Sequence, residues 1–330
     1  MRRLCRFFMF SCLCVLLLLG AVAAPIGDTD NDGEFSLLDV LATLRCTLAD
    51  EVSAEKLLVM DVNGDGALTL ADALLLLQNA LNGEKPSYCS VNNLWHKGCA
   101  WNYVTLGDYG TVNFNAAKYP DFTIRFKIYI PATYSPHKEY ALATHFHGLG
   151  GESRPTAELS GSTWFKNILA SKYGEDTILL LPQCPVGMDW PHDRETIDAV
   201  WLLIDYLTEH MSIDKDRLYL SGHSYGSMAV SYMIEAHPNT FAAAVMGSGA
   251  GALSSYTNLE NLATTPIRMF CGDADGYSFH LRFRALYSAL WELGADVEYT
   301  EFPGLTHNIF STVGNQPGLV DWAFGHTLGK

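Results

Sequence analysis

Leu218-Tyr219-Leu220-Ser221-Gly222-His223-Ser224-Tyr225-Gly226 runs from a short apolar stretch into residues 227–236, which carry helical spacing. A strand that ends in Gly-x-Ser-x-Gly and turns at once into a helix is the setting of a nucleophile elbow. The serine occupies a strained turn, and the flanking glycines remove side chains that would collide with strand or helix. The motif is short enough to arise by composition, so its position after a predicted strand gives it its weight.

A serine hydroxyl is a poor nucleophile until a histidine takes its proton. That histidine in turn needs a carboxylate to hold its tautomer and stabilise the imidazolium. Behind such an elbow the acid and then the histidine follow the serine along the chain. Strand 267–271 leads into Gly272-Asp273-Ala274-Asp275-Gly276, and strand 297–302 leads to Gly304-Leu305-Thr306-His307. Both segments fall just beyond the carboxyl end of a strand, where α/β proteins gather their chemistry. Ser224, His307 and either Asp275 or Asp273 are the candidates. His210, His237 and His280 lie in or beside predicted helices and read as solvated.

Outward from the elbow, β-branched apolar runs alternate with amphipathic stretches, as in a mostly parallel sheet covered on both faces by helices. Strands are expected at 122–130, 140–146, 177–181, 217–220, 242–246, 267–271 and 297–302. Helices are expected at 196–210, 227–236, 279–293 and 319–324. In the first helix Ile197, Val200, Trp201, Ile204 and Leu207 share one face and read as core. His145 and His147 are spaced as a zinc pair could be, but no third ligand is suggested.

Upstream, Asp28-Thr-Asp-Asn-Asp-Gly-Glu-Phe-Ser-Leu-Leu-Asp39 and Asp61-Val-Asn-Gly-Asp-Gly-Ala-Leu-Thr-Leu-Ala-Asp72 repeat one pattern 33 residues apart. Loop positions 1, 3, 5, 9 and 12 carry oxygen-bearing side chains: Asp28, Asp30, Asp32, Ser36 and Asp39, then Asp61, Asn63, Asp65, Thr69 and Asp72. Position 6 is glycine for the sharp turn, and Glu34 and Ala67 at position 7 can offer backbone carbonyls. Two Ca²⁺ ions are therefore expected. Position 12 is Asp where an EF-hand has Glu, and each loop runs directly into an apolar helix. A repeat that only stabilises its own fold is the simpler alternative.

Arg2, Arg3 and Arg6, the apolar run 7–19 and Ala21-Val22-Ala23 read as a secretory signal peptide, residues 1–23, cut after Ala23. A short anchor is the competing reading, but the run ends in small residues. After its removal no long apolar stretch is left to hold the chain in a membrane. The net charge of −15 argues against nucleic acid as a partner. Cys46, Cys89, Cys99, Cys184 and Cys271 lack zinc-type spacing, and Cys89 and Cys99 are close enough to form a disulfide or to remain reduced. The organisation expected is a small all-α calcium-binding domain at 24–82, a linker at 83–94 and an α/β domain at 95–330.

The duplicated loop-helix unit, with no helix ahead of its first loop, resembles a type I dockerin, the module that plugs secreted glycan-degrading enzymes into cohesin-bearing scaffolds. That resemblance implies a cohesin partner. It also implies an extracellular, cellulosome-like setting and acylated plant cell-wall polysaccharide as substrate. The run from Phe122 onward is similar to α/β-hydrolases of the esterase group that includes feruloyl and acetylxylan esterases, polyhydroxybutyrate depolymerase-like enzymes and "predicted peptidases". The carrying residues are His147-Gly148-Leu149-Gly150-Gly151, Leu181-Pro182-Gln183-Cys184-Pro185, the elbow, Gly272-Asp273-Ala274-Asp275 and Gly304-Leu305-Thr306-His307. The resemblance implies a serine carboxylesterase with Asp275 as the acid and the backbone amides of Leu149 and Tyr225 as oxyanion donors. Trp190 and His192 would line the entrance, where an indole suits a sugar or an aromatic acyl group, or Trp190 would simply pack a loop. A serine peptidase on the same triad and a non-catalytic calcium-dependent binding module are the alternatives.

Overall fold

The computed structural model describes residues 28–29, 35–48, 60, 68–82, 99–102, 107, 109–135, 137–154 and 162–329. The expected signal peptide, linker and Cys89 lie outside them, as do Asp30, Asp32, Glu34, Asp61, Asn63, Asp65 and Ala67. The chain divides into two compact units between Ser87 and Tyr88.

In the first unit, helix α1 (Leu37–Cys46) starts from a capping box. The Ser36 hydroxyl accepts from the Leu38 N–H, and Asp39 Oδ2 accepts the Ser36 N–H at 2.7 Å. Helix α2 (Leu70–Asn82) repeats the device, with the Thr69 N–H donating to Asp72 Oδ2 at 2.8 Å and the Ala71 N–H to Thr69 Oγ1. Among the described residues Val40 and Leu76 meet in a core flanked by Phe35, Leu75, Leu77 and Ala80. Leu37, Leu38, Leu41, Leu70 and Leu74 stay exposed.

The second unit is built on one sheet of nine described strands: β1 (Cys99–Asn102), β2 (Tyr109–Phe114), β3 (Ile124–Tyr129), β4 (Tyr140–Phe146), β5 (Thr177–Gln183), β6 (Ile213–His223), β7 (Ala243–Gly247), β8 (Ile267–Gly272) and β9 (Val297–Phe302). Their spatial order is β1-β2-β3-β5-β4-β6-β7-β8-β9. Pairings from β1 to the β3–β5 contact are antiparallel, and all those from β5 through β9 are parallel.

Side-chain alternation explains how both faces are covered. Tyr140, Leu142 and Phe146 of β4 and Ile178 and Leu180 of β5 enter one core, while Ala141, Ala143, Leu179 and Leu181 enter the other. The first core is closed by α4 (Glu195–His210), α5 (Tyr225–Ala236) and α7 (Phe279–Glu292), through Val200, Leu203, Met233 and Phe283 among others. The second is closed by α3 (Ser162–Ala170), α8 (Phe310–Gly314) and α9 (Leu319–Gly325), through Phe165, Ile168, Val313 and Phe324. A short α6 (Leu259–Leu262) lies between β7 and β8. This is the mostly parallel, doubly covered sheet that the sequence predicts. It brings the carboxyl ends of β4, β6, β8 and β9 to one edge, the edge from which the candidate residues project.

Candidate active site

β6 ends at His223 and α5 begins at Tyr225, which leaves Ser224 in the turn with φ 57° and ψ −121°. Positive φ costs a residue with a Cβ on the order of 1–3 kcal/mol, so the surroundings must hold it there. They do so by close backbone approach. A Cβ on Gly222 would sit 2.2 Å from the Gly226 carbonyl oxygen, and one on Gly226 would sit 2.0 Å from that of Phe146. The Ser224 N–H donates to the Gly247 carbonyl at 2.8 Å, which anchors the turn to β7.

His307 comes in from the loop after β9. Its Nε2 lies 2.9 Å from Ser224 Oγ, and its Nδ1 lies 2.8 Å from Asp275 Oδ2. With Nδ1–H donating to the carboxylate, Nε2 is left to accept the serine proton. The Asp275 side chain is fully buried, and its Oδ1 accepts the Tyr277 N–H at 2.9 Å. Asp273 points elsewhere: its Oδ1 accepts the Gly304 N–H at 2.7 Å and braces the turn after β9. Of the two acids left open by spacing, only Asp275 is in reach of His307.

Ser224, His307, Leu149 and Tyr225 line one cavity of about 850 Å³. Among the described residues neither the Leu149 nor the Tyr225 N–H has an acceptor. Both amides are thus available to an oxygen that develops negative charge as a carbonyl beside Ser224 is attacked. Gly150 and Gly151, by contrast, spend theirs on Glu152 Oε2 and the Gly148 carbonyl.

Three further histidines build the frame of the site, a role that their positions in the sequence do not announce. His223, the variable residue of the elbow motif, donates from Nε2 to the His307 carbonyl at 2.9 Å, tying the elbow to the histidine loop. His147 donates from Nδ1 to the Gly148 carbonyl at 2.7 Å and accepts the Cys184 N–H at Nε2 at 3.0 Å. Both of its nitrogens are engaged, which fixes the tautomer and leaves none for a metal. His145 sits behind it with Nδ1 2.9 Å from Ser221 Oγ. Burial lowers the pKa of all three, that of His145 to about 3, so at neutral pH they hold the loops as uncharged rings.

Trp190 departs from the expectation that it lines the entrance. It is 1% exposed, its ring meets Phe146 edge-on, and its Nε1–H donates to the His147 carbonyl at 3.1 Å. The indole is satisfied inside the protein and supports the loop that carries Leu149. His192, Tyr225, Tyr277 and Phe279 line the cavity instead.

Comparison with known proteins follows the same division of the chain. Residues 26–82 match the dockerin type I domain, and residues 192–253, which contain the elbow, match the prolyl oligopeptidase family. No curated protein matches the chain. Among solved structures, a thermostable esterase superposes with a TM-score of 0.61 at 22% identity, over 68% of this chain and 65% of that one. The CE1 ferulic acid esterase of Anaeromyces mucronatus does so at 0.53 and 16% identity, over 68% and 94% of the two chains. The S-formylglutathione hydrolase of Agrobacterium tumefaciens gives 0.52 at 15% identity, over 70% and 100%. This chain thus spans just under two thirds of the length of the thermostable esterase. At these identities the likeness establishes the fold, whereas the dockerin match rests on sequence. The chain joins a dockerin type I domain to a domain of the α/β-hydrolase fold.

Proposed function

We propose that this protein is a secreted serine carboxylesterase that removes feruloyl or acetyl groups from plant cell-wall polysaccharide while its dockerin holds it on a cohesin-bearing scaffold. The observation that carries the reading is the hydrogen-bonded chain Ser224–His307–Asp275, opening on the same cavity as the unpaired N–H groups of Leu149 and Tyr225. His307 takes the Ser224 proton as Oγ attacks the ester carbonyl, and the two amides meet the oxyanion. The same imidazole, now protonated, gives its proton to the departing alcohol. Water then repeats the sequence on the acyl-enzyme, and Asp275 stabilises the imidazolium in both halves.

The polysaccharide assignment draws support from the dockerin match and from a ferulic acid esterase among the structural neighbours. Docking draws support from the exposed leucines of the first unit, which recur at the repeat spacing as Leu37 and Leu70, Leu41 and Leu74, Leu48 and Leu81. Solvated apolar side chains in such an array suit a partner surface. No helix among the described residues is long and apolar enough to cross a membrane. Calcium would be held by Asp28, Asp30, Asp32, Glu34, Ser36 and Asp39 in one loop and by Asp61, Asn63, Asp65, Ala67, Thr69 and Asp72 in the other. The described members fit such a role: Asp28 is 3% exposed and Asp39 and Asp72 are fully buried, which suits carboxylates that face a cation.

The match of residues 192–253 to the prolyl oligopeptidase family favours a second reading, a serine peptidase on the same triad. Turnover of acetylated xylan, methyl ferulate and an aminoacyl anilide by the same preparation decides between them. Hydrolysis of either ester with an inert anilide is expected, and an anilide turned over faster than both esters would replace the esterase with a peptidase. The acid is tested separately. Asp275→Asn should lower kcat on an activated acetyl ester by about 10³–10⁴-fold, because the imidazole loses its tautomer control and counter-charge. Asp273→Asn, which keeps an oxygen for the Gly304 N–H, should change kcat by less than about tenfold. Equal losses in the two variants would remove Asp275 from the mechanism.

A further inference from the structure

The chain carries 36 Asp and Glu against 21 Lys and Arg, yet the wall of the Ser224 cavity reverses that balance. Arg154, Arg194 and Arg282 line it, and among the described residues none of the lining side chains is acidic. A cleft walled by protein focuses the field of its charges, so a few uncompensated groups set the potential that a ligand meets, even on a molecule that is negative as a whole.

The three arginines are not equivalent. Arg194 is a structural brace: its guanidinium lies 3.6 Å from the Tyr232 ring centroid, donates to the Ser255 carbonyl at 2.8 Å and faces the buried Glu235 carboxylate at 3.7 Å. Its charge is answered within the protein. Arg282 and Arg154 are exposed, and among the described residues neither forms an ion pair. Arg282, in the first turn of α7, makes only a long 3.4 Å contact to the Ala250 carbonyl and lies 5.3 Å from the Phe279 ring, which itself stacks on His307. Arg154 follows the loop that carries Leu149. Arg154 also borders a second cavity with Glu152, without an ion pair between them. One guanidinium thus comes from the element beside His307 and the other from the oxyanion side. A planar guanidinium pairs best with a planar anion, through two parallel hydrogen bonds to a carboxylate. A neutral acetyl or feruloyl ester offers it nothing of the kind.

We infer that the ester taken up beside Ser224 carries a carboxylate that Arg282 and Arg154 recognise, an inference that rests on the esterase reading above. The carboxylate can belong to the alcohol side, as on a uronic acid unit of an acidic polysaccharide, or to the acyl side, as in the half-ester of a dicarboxylic acid. Matched substrates separate the two sources. One pair is acetylated xylo-oligosaccharides with and without a uronic acid branch; the other is nitrophenyl hemiglutarate and nitrophenyl valerate. The wild-type enzyme should prefer the charged member of one pair. In the Arg154→Gln/Arg282→Gln variant the ratio of kcat/KM, charged over neutral, should fall by about 10–100-fold, mainly through KM, and in the wild type it should shrink as salt is raised.

A wild-type enzyme that disfavours the charged member of both pairs would overturn the inference, as would a ratio unmoved by the double substitution. Either result leaves the esterase reading intact if the neutral esters are cleaved. If no ester is cleaved, the esterase reading fails instead. Binding of the uronic acid-bearing oligosaccharide to the Ser224→Ala protein, measured by calorimetry, then decides: affinity lost with both arginines supports the cationic subsite, and affinity unchanged or absent refutes it.

Discussion

Ser224→Ala is expected to lower kcat on an activated acetyl ester by about 10⁴–10⁶-fold and to abolish labelling by a fluorophosphonate. The size follows from the arrangement: among the described residues Ser224 Oγ is the one partner of His307 Nε2 in hydrogen-bond reach, so without the hydroxyl the base has no proton to take and the carbonyl no nucleophile. What survives is water attack assisted by the two backbone amides and by binding alone. The substitution keeps a Cβ at φ 57°, so the strain of the elbow is unchanged. The tie from His223 to the His307 carbonyl does not involve the hydroxyl either. Thermal unfolding should therefore occur within about 2 °C of the wild type, a shift that for a unit of this size corresponds to about 1 kcal/mol or less. Turnover that persists within about tenfold in a folded Ser224→Ala protein would eliminate the serine mechanism.

Much of this fold is legible along the chain because its parallel strands are buried on both faces and so appear as uninterrupted apolar runs. β4 and β9 occupy the expected limits. β6 reaches further on both sides than residues 217–220; at its start the buried Ile213 is separated from Leu218 by Asp214-Lys215-Asp216-Arg217, whose polar side chains are half-buried or exposed and break the apolar run. β1 and β2 lie at an antiparallel edge, and the strand Tyr109–Phe114 is interrupted by glycine, threonine and asparagine. The short α8 gives too few residues for a period. At the site, motif order finds Ser224 and His307 but cannot choose between Asp273 and Asp275, two residues apart. The choice is made by which carboxylate the loop turns inward. Trp190 shows the same gap in another form: sequence announces an indole near the site, and only packing says that it faces the protein. Arg154 and Arg282 are 128 residues apart and belong to no motif, so their shared cavity exists only once the sheet is assembled.

Removal of calcium is expected to act on the other unit and to leave hydrolysis alone. Asp39 illustrates the reason. Its Oδ1 accepts the Thr29 N–H at 2.7 Å and its Oδ2 the Ser36 N–H at 2.7 Å, so one fully buried carboxylate joins the start of the first loop to the cap of α1. A loop that gathers several acidic side chains brings like charges together, and a bound calcium ion would offset their repulsion. Among the described residues the apolar core is centred on Val40 and Leu76, and a module of this length commonly needs a metal or another staple beside its core. On the proposed calcium reading, the free energy of metal binding would add to that of folding, as in other small metal-dependent modules. With excess EGTA, cohesin affinity should fall by at least about 10³-fold and the helical circular dichroism of the dockerin should drop. Methyl ferulate or acetyl ester turnover should stay within about twofold. Native mass spectrometry of the untreated protein should find two calcium ions per chain, and Asp39→Asn, which retains hydrogen-bonding atoms but not the charge, should lose one of them. Two ions bound with no affinity for any cohesin would reduce the module to a self-stabilising repeat. Ester turnover that collapses along with cohesin binding would instead show that the two units do not function independently.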